Sequence, residues 1–149
     1  MQTLLDEIRT ISKSDDRRAH RARRIAAVIK AAAEYRWVGI YEVSSDWVSV
    51  IAWSGPGAPA HPTFPITQGL TSAAIRERKT IVVNDVSLDD RYLTAFGSTR
   101  SEIIIPVIEP TDGRVVGTID VESEQVNAFS ADDQKLLENC TAAALSLWI

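Results

Sequence analysis

The chain has 149 residues, and its 16 basic and 20 acidic side chains give a formal charge of −4, which argues against nucleic acid as a partner. This length predicts one domain over residues 1–149. The single cysteine, Cys140, excludes an internal disulfide and a cysteine-based zinc site, and it indicates a reducing, cytoplasmic setting. The acidic N-terminus argues against a signal peptide, and the short apolar runs argue against a membrane span. No phosphate-binding, dinucleotide-binding or zinc-protease motif occurs, so no metal and no cofactor are expected.

Two helices are predicted at the start of the chain. Apolar residues recur at three- and four-residue spacing over residues 3–12 and again over residues 15–35, where Asp15 or Asp16 can cap the second helix. The first half of this second helix carries a basic cluster formed by Arg17, Arg18, Arg21, Arg23 and Arg24. Such a cluster is typical of a solvated helix face, and docking of an acidic or phosphate-rich partner is the alternative.

The middle of the chain has the two-residue period of β-strands. The segments WVGIYEV and WVSVIAW, separated by SSD, predict a hairpin, and the following SGPGAPAHPTFP, with four of the six prolines, predicts a loop. GLTSAAIRERK then predicts a short helix, TIVVNDV a strand and SLDDRYLTAFGSTR an irregular segment. A second hairpin is predicted where EIIIPVIEP and RVVGTIDVESE flank the turn signal TDG.

The order of elements predicts an α+β fold. Ser130 and the acids that follow it predict a capped helix over residues 130–149. Helical segments at 1–35 and 130–149 therefore flank a sheet-forming region at 36–129. We expect a central antiparallel sheet of five to six strands, with the terminal helices packed on one of its faces.

Strand alternation separates the side chains of this sheet into two sets. The apolar set predicted to face the helices is Val38, Ile40, Ile103, Ile105, Val107, Ile119 and Val121. The opposite face then carries two aromatic and three acidic residues, which are Trp37, Tyr41, Glu102, Asp120 and Glu122. Acids on an antiparallel strand can simply face water, and this alternative stays open.

Five segments, in this order and spacing, resemble a GAF domain: WVGIYEV, FPITQGLTSAAIRERKTIVVNDV, SEIIIPV, GRVVGTIDVES and FSADDQKLLE. The resemblance implies a ligand pocket roofed by loops and a short helix on the face opposite the terminal helices. The chain resembles the free methionine-(R)-sulfoxide reductases in particular, but His61, Thr71 and Ala95 stand where those enzymes have three cysteines. Because sulfoxide reduction by this route needs an attacking thiolate and a resolving thiol, we expect no catalysis.

The resemblance also implies a ligand site. Trp37, Tyr41, Glu102, Asp120 and Glu122 correspond to the residues that line the reductases' pocket, where carboxylates hold an ammonium group, and Glu122 replaces a more usual Asp. The chain is therefore interpreted as a non-catalytic sensory domain that binds a small amine-bearing metabolite, in signal transduction.

Two other functions stay open. One is a divergent reductase that uses Cys140 or an external thiol, and the other is an interaction module whose basic cluster docks a signalling protein. The alanine-rich stripe of residues 25–33 and the Trp148-Ile149 end also predict a homodimer formed through the terminal helices.

Overall fold

The computed structural model describes residues 1–93 and 96–149. The helices are α1 (Gln2–Ser12), α2 (Arg18–Ala32), α3 (Gly69–Glu77) and α4 (Ala131–Ala143), with short 3₁₀ turns at Val86–Leu88 and Leu145–Leu147. The strands are β1 (Trp37–Val43), β2 (Trp47–Ser54), β3 (Thr63–Pro65), β4 (Ile81–Val83), β5 (Ser101–Ile108) and β6 (Val115–Ser123).

The six strands form one antiparallel sheet in the order β3-β2-β1-β6-β5-β4. The α+β prediction and both predicted hairpins are confirmed. The hairpins are joined through β1 and β6, where Trp37 pairs with Glu122 and Gly39 with Asp120. This register brings the aromatic residues of the first hairpin beside the acids of the second.

The terminal helices cover one face of the sheet, as predicted. Ile8, Ile25 and Leu137, one from each of α1, α2 and α4, are completely buried in the core between these helices and the sheet. Six of the seven apolar strand residues predicted for this face belong to the same core, and the seventh, Val107, is also buried. Each fully buried aliphatic side chain contributes about 1.5 to 3 kcal/mol, so this layer is the main source of stability.

Two local predictions are corrected. Helix α2 spans Arg18–Ala32 rather than 15–35, and its start has no side-chain cap, since Arg17 occupies the capping position and Asp16 forms an exposed ion pair with Arg24 (3.2 Å). The proline-rich segment contains the short strand β3 in addition to a loop, and its pairing continues to Pro62, whose carbonyl accepts a hydrogen bond from the Val50 amide at 2.7 Å.

The C-terminal helix is fixed at both ends. Its start has the predicted cap, a reciprocal pair in which the Asp133 amide donates to the Ser130 hydroxyl and the Ser130 amide donates to the Asp133 carboxylate. After α4, the indole of Trp148 crosses over Gly117 and donates to the Tyr41 carbonyl at 3.0 Å.

No helix within residues 1–93 and 96–149 has the length and apolar character to span a bilayer.

Candidate functional site

A small hollow lies on the face of the sheet opposite the terminal helices. Its volume is about 30 Å³, and it is lined by Tyr41, His61, Phe64, Gly69, Leu70, Thr71, Leu93, Glu102, Asp120 and Glu122. Strands β1, β5 and β6 form its floor, and β3, the first turn of α3 and the flanking loops form its roof. Four of the five side chains predicted to share this face, Tyr41 and the three acids, therefore meet in one enclosed space.

The three acids are buried. Glu102, Asp120 and Glu122 are 7%, 5% and 3% exposed, so the alternative in which they face bulk water is wrong. Glu102 and Glu122 are direct cross-strand partners on β5 and β6, and Asp120 lies two residues before Glu122 on the same face. Like charges at directly opposed positions repel, so the sheet holds these groups together at a cost.

Burial disfavours the charged form of each acid. It raises the pKa of Asp120 to about 8 and that of Glu122 to about 7. The pKa of Glu102 is also raised well above its usual value, first by burial and then by repulsion from Glu122 and Asp120. Without a cation in the hollow, the acids therefore retain protons near neutral pH.

One acid has an oxygen with no partner. The Tyr92 hydroxyl donates to a carboxylate oxygen of Glu122 at 3.1 Å, whereas Asp120 Oδ1 is buried without a well-formed hydrogen bond in the described part of the chain. The Thr118 hydroxyl, two residues before Asp120 on the same face, moderates the rise in the pKa of Asp120 but likewise makes no well-formed hydrogen bond there. A buried acceptor without a donor costs about 1 to 3 kcal/mol. A ligand that brings N–H groups into the hollow would recover that cost.

The arrangement of the acids favours an ammonium group over a metal ion. Within residues 1–93 and 96–149, no three His, Cys, Asp or Glu side chains come together in a way that could hold a metal. An ammonium has three N–H donors that can be shared among separate carboxylates. The floor also presents the ring of Tyr41, a type of surface that attracts cations.

Trp37 lies beside the hollow rather than in its wall. It is 2% exposed, packs in one aromatic cluster with Tyr41 and Phe64, and its indole donates to the Gly57 carbonyl at 3.0 Å. A Cβ added at Gly39 would collide with the Trp37 ring and lie 2.8 Å from the Tyr41 ring, so this position has room only for glycine. Trp37 thus anchors the proline-rich loop above the hollow.

The positions that align with the reductase cysteines carry no thiol in the hollow. His61 and Thr71 are both in its lining, and Ala95 lies outside the described residues. Cys140 lies on α4 in the core between the helices and the sheet, on the other face, and is 1% exposed. Burial raises the pKa of its thiol to about 11, so almost no thiolate forms there near neutral pH.

Sequence reasoning missed the apolar and hydroxyl groups of the roof. Phe64, Leu70 and Leu93 line the hollow, and Tyr92 binds Glu122. Leu70 was within a predicted helix, but the other residues lie in segments without a regular hydrophobic period. The sequence pattern therefore could not show that their side chains face the hollow.

This fold and pocket define a GAF domain. The family model described as "GAF domain" matches residues 17–145, and the chain belongs to that family, as its sequence motifs predicted. One similar protein is GAF domain-containing protein A of Dictyostelium discoideum, 26% identical over 137 residues that make up 91% of this chain and 84% of the relative.

Other similar proteins are enzymes. The free methionine-R-sulfoxide reductase of Saccharomyces cerevisiae is 28% identical over 108 residues, which are 72% of this chain and 59% of that protein. The X-ray structure of free methionine-R-sulfoxide reductase from Neisseria meningitidis in complex with its substrate superposes with a TM-score of 0.86 at 27% identity, over 99% of this chain and 87% of that one. The chain is therefore similar to a protein whose structure was determined with its substrate bound.

Proposed function

We propose that this GAF domain is a non-catalytic sensor that binds a small amine-bearing metabolite, such as an amino acid, in the hollow. The observation that carries the proposal is the unpartnered Asp120 Oδ1, buried beside two further acids in a space without a metal-binding set in the described part of the chain. A protonated amine supplies a positive charge to the three acids and an N–H donor to Asp120 Oδ1. Tyr41, Glu102, Asp120 and Glu122 are the proposed ligand-binding residues, and Trp37, which packs against Tyr41, is proposed to support them from beside the hollow.

The size of the hollow determines how the ligand would enter. A volume of about 30 Å³ accommodates an ammonium group but not the body of an amino acid. Leu93 and Phe64 occupy the neighbouring space, and a Cβ at Gly69 would lie only 3.1 Å from the Leu93 Cβ, so Leu93 is packed directly against the start of α3. The side chain of the ligand would therefore displace Leu93 outward while its amine stays on the sheet.

Calorimetry tests the amine requirement. We expect methionine sulfoxide or another free amino acid to bind the ligand-free protein, and its analogue without the amine, here 4-(methylsulfinyl)butanoate, to bind at least 100-fold more weakly. The reason is that the analogue adds a negative charge to a site of three acids without supplying a donor. An absence of heat with methionine sulfoxide and all common amino acids, or equal affinity for the amine-free analogue, would overturn the proposal.

A reductase is the second candidate, because two of the similar proteins are free methionine-R-sulfoxide reductases. The absence of a thiol at His61 and Thr71 and the burial of Cys140 away from the hollow argue against it. We expect no reduction of free methionine-(R)-sulfoxide with dithiothreitol or thioredoxin beyond a protein-free control, and no change in Cys140→Ser. Thiol-dependent turnover that Cys140→Ser abolishes would establish the enzyme and refute the sensor.

The homodimer remains a prediction, and the structure reduces the surface available for it. Ile25, Ala26 and Ile29 are buried in the chain's own core, so the exposed part of the 25–33 stripe consists of alanines. At the other end Ile149 is exposed, while Trp148 is partly buried and hydrogen-bonded. A signalling partner and a cytoplasmic location likewise remain proposals.

A further inference from the structure

A second concave surface lies between α2 and the later half of β2. This surface, the α2–β2 groove, has a volume of about 620 Å³ and shares no lining residue with the hollow. It is lined by Ala19, His20, Arg23, Ala27, Val50, Ile51, Ala52, Trp53, Ser54 and Gly55. One wall is therefore a helix and the other is the last strand residues before the proline-rich loop.

The strand wall has a free edge. Strand β3 pairs only with Trp47–Ser49, and after the bond from Val50 to Pro62 the ladder stops. The prolines of the segment before β3 have no N–H to extend it, and the bond from the Trp37 indole to the Gly57 carbonyl holds that segment over the opposite face of the sheet. Within the described chain, residues 51–54 therefore pair with β1 alone.

This edge lacks most of the features that normally prevent further pairing. Edge strands usually carry a charged residue or a proline, but β2 reads WVSVIAWS and has neither. Its single irregularity is a one-residue bulge at Ile51, which separates the covered half from the free half. The side chain of Trp53 is partly exposed and packs with the aromatic cluster of Trp37 on the face away from α2, so an added strand would also find an apolar contact on that face.

The helix wall supplies space and positive charge. Ala19, Arg23 and Ala27 follow one another at four-residue intervals on the same side of α2, and the two alanines leave room for side chains of an added strand. Three cations of the basic cluster have partners in the described chain: Arg24 pairs with Asp16, Arg18 pairs with Glu42, and Arg21 donates to the Ser12 carbonyl. Arg17 and Arg23 have none there, and of these two only Arg23 lines the groove.

We propose that the α2–β2 groove binds an extended acidic segment of another protein, which adds to the free edge of β2 as a further strand. Its backbone would pair with residues 51–54. Its side chains would alternate between the two faces of the sheet, so that its carboxylates face Arg23 and His20 on the α2 side while its apolar side chains pack beside Trp53 on the other side. Strand addition to an open edge beside a helix is a general way to bind peptides, with backbone bonds giving affinity and side-chain contacts giving specificity.

A synthetic peptide provides the direct test. The probe is an acetylated eight-residue peptide in which Asp and Glu alternate with Val and Ile, titrated into the ¹⁵N-labelled full chain. We expect saturable shifts confined to the amides of 19–27 and 50–55, with affinity that falls as salt is raised. The same peptide with Lys in place of its acids should bind at least tenfold more weakly, and so should an analogue with alternate backbone nitrogens methylated.

Two variants and a matched control separate the groove from general charge attraction. Arg23→Glu should weaken peptide binding at least tenfold, and Ala27→Phe should do the same by filling the groove without changing charge. Arg17→Glu makes the same charge reversal on an exposed residue outside the groove and should have little effect. Equal losses in Arg17→Glu and Arg23→Glu would overturn the proposal.

Other results would also overturn it. These are no binding of the acidic peptide, unchanged binding of the methylated analogue, tighter binding of duplex DNA, or a homodimer in sedimentation that Ala27→Phe dissociates, since the groove would then take a second copy. Amino-acid binding in the hollow should be unaffected by Arg23→Glu. Failure of this proposal and failure of the proposed function are thus distinguishable.

Discussion

An Asp120→Asn variant is expected to be more stable than the wild type at pH 8 and to bind amines at least 100-fold more weakly. The amide removes a carboxylate that the ligand needs, and it also removes a charge that the empty hollow accommodates poorly. We expect a rise in Tm of roughly 5 °C at pH 8 for the ligand-free variant, given that about 1 kcal/mol shifts Tm by a few degrees in a domain of this size.

The pH dependence of folding stability follows from the direction in which the pKa values of the buried acids are shifted. The pKa of Asp120 is raised to about 8 in the folded protein, while in the unfolded chain it is near its ordinary value of 3.8. Its contribution to stability is therefore fully present below about pH 4 and is lost as pH rises toward 8, by at most about 1.4 kcal/mol per pH unit. Glu122, with a pKa of about 7, acts in the same direction.

Thermal unfolding of ligand-free protein from pH 5 to pH 8 measures this effect. The Tm of the wild type should fall over this range and that of Asp120→Asn should fall less. The difference between the two should narrow toward pH 5, because the acid is protonated in both the folded and the unfolded state only below about pH 4. Asp90→Asn, at an exposed loop position, is the control and should follow the wild type. A variant less stable than the wild type at pH 8, or one that binds amino acids normally, would contradict the assignment of Asp120.

A Gly117→Ala variant is expected to lose about 2 to 3 kcal/mol of unfolding free energy. A Cβ at this position would collide with the Trp148 indole and lie 2.6 Å from the Tyr41 carbonyl, the same two groups that form a hydrogen bond across Gly117. The carbonyl belongs to β1 and cannot retreat without disturbing the centre of the sheet, so the indole must leave and its bond must break.

Urea unfolding followed by tryptophan fluorescence measures this loss and the changed surroundings of Trp148. Gly97→Ala is the matched control, because a Cβ there meets nothing within 4 Å, and its midpoint should stay close to the wild type. Equal midpoints for Gly117→Ala and Gly97→Ala would show that the indole does not occupy the space above Gly117.

The floor of the hollow could be predicted because its determinants are local. Two strands joined by the short turn TDG must pair closely, and alternation then fixes which side chains share a face. Alternation therefore placed Glu102, Asp120 and Glu122 on one face correctly, whereas their enclosure in a pocket was expected only from the family resemblance. The burial of these acids depends on the roof, which the chain builds from distant and irregular segments.

The unpredicted features depend on contacts between residues far apart in the sequence. Strand β3 forms because three residues of a proline-rich segment pair with the edge of β2. The intrinsic strand propensity of this segment alone would not predict a strand. The bonds from Tyr92 to Glu122 and from Trp148 to the Tyr41 carbonyl span 30 and 107 positions. Likewise, Asp16 does not cap α2 as predicted and instead pairs with Arg24, eight residues on.

The enclosure of three acids also determines how charge moves when the site fills. An empty hollow lowers its internal repulsion by taking up hydrogen ions, and the proposed amine would replace one of them. Binding would then exchange one hydrogen ion for one ammonium group, and the charge inside the domain would stay nearly constant.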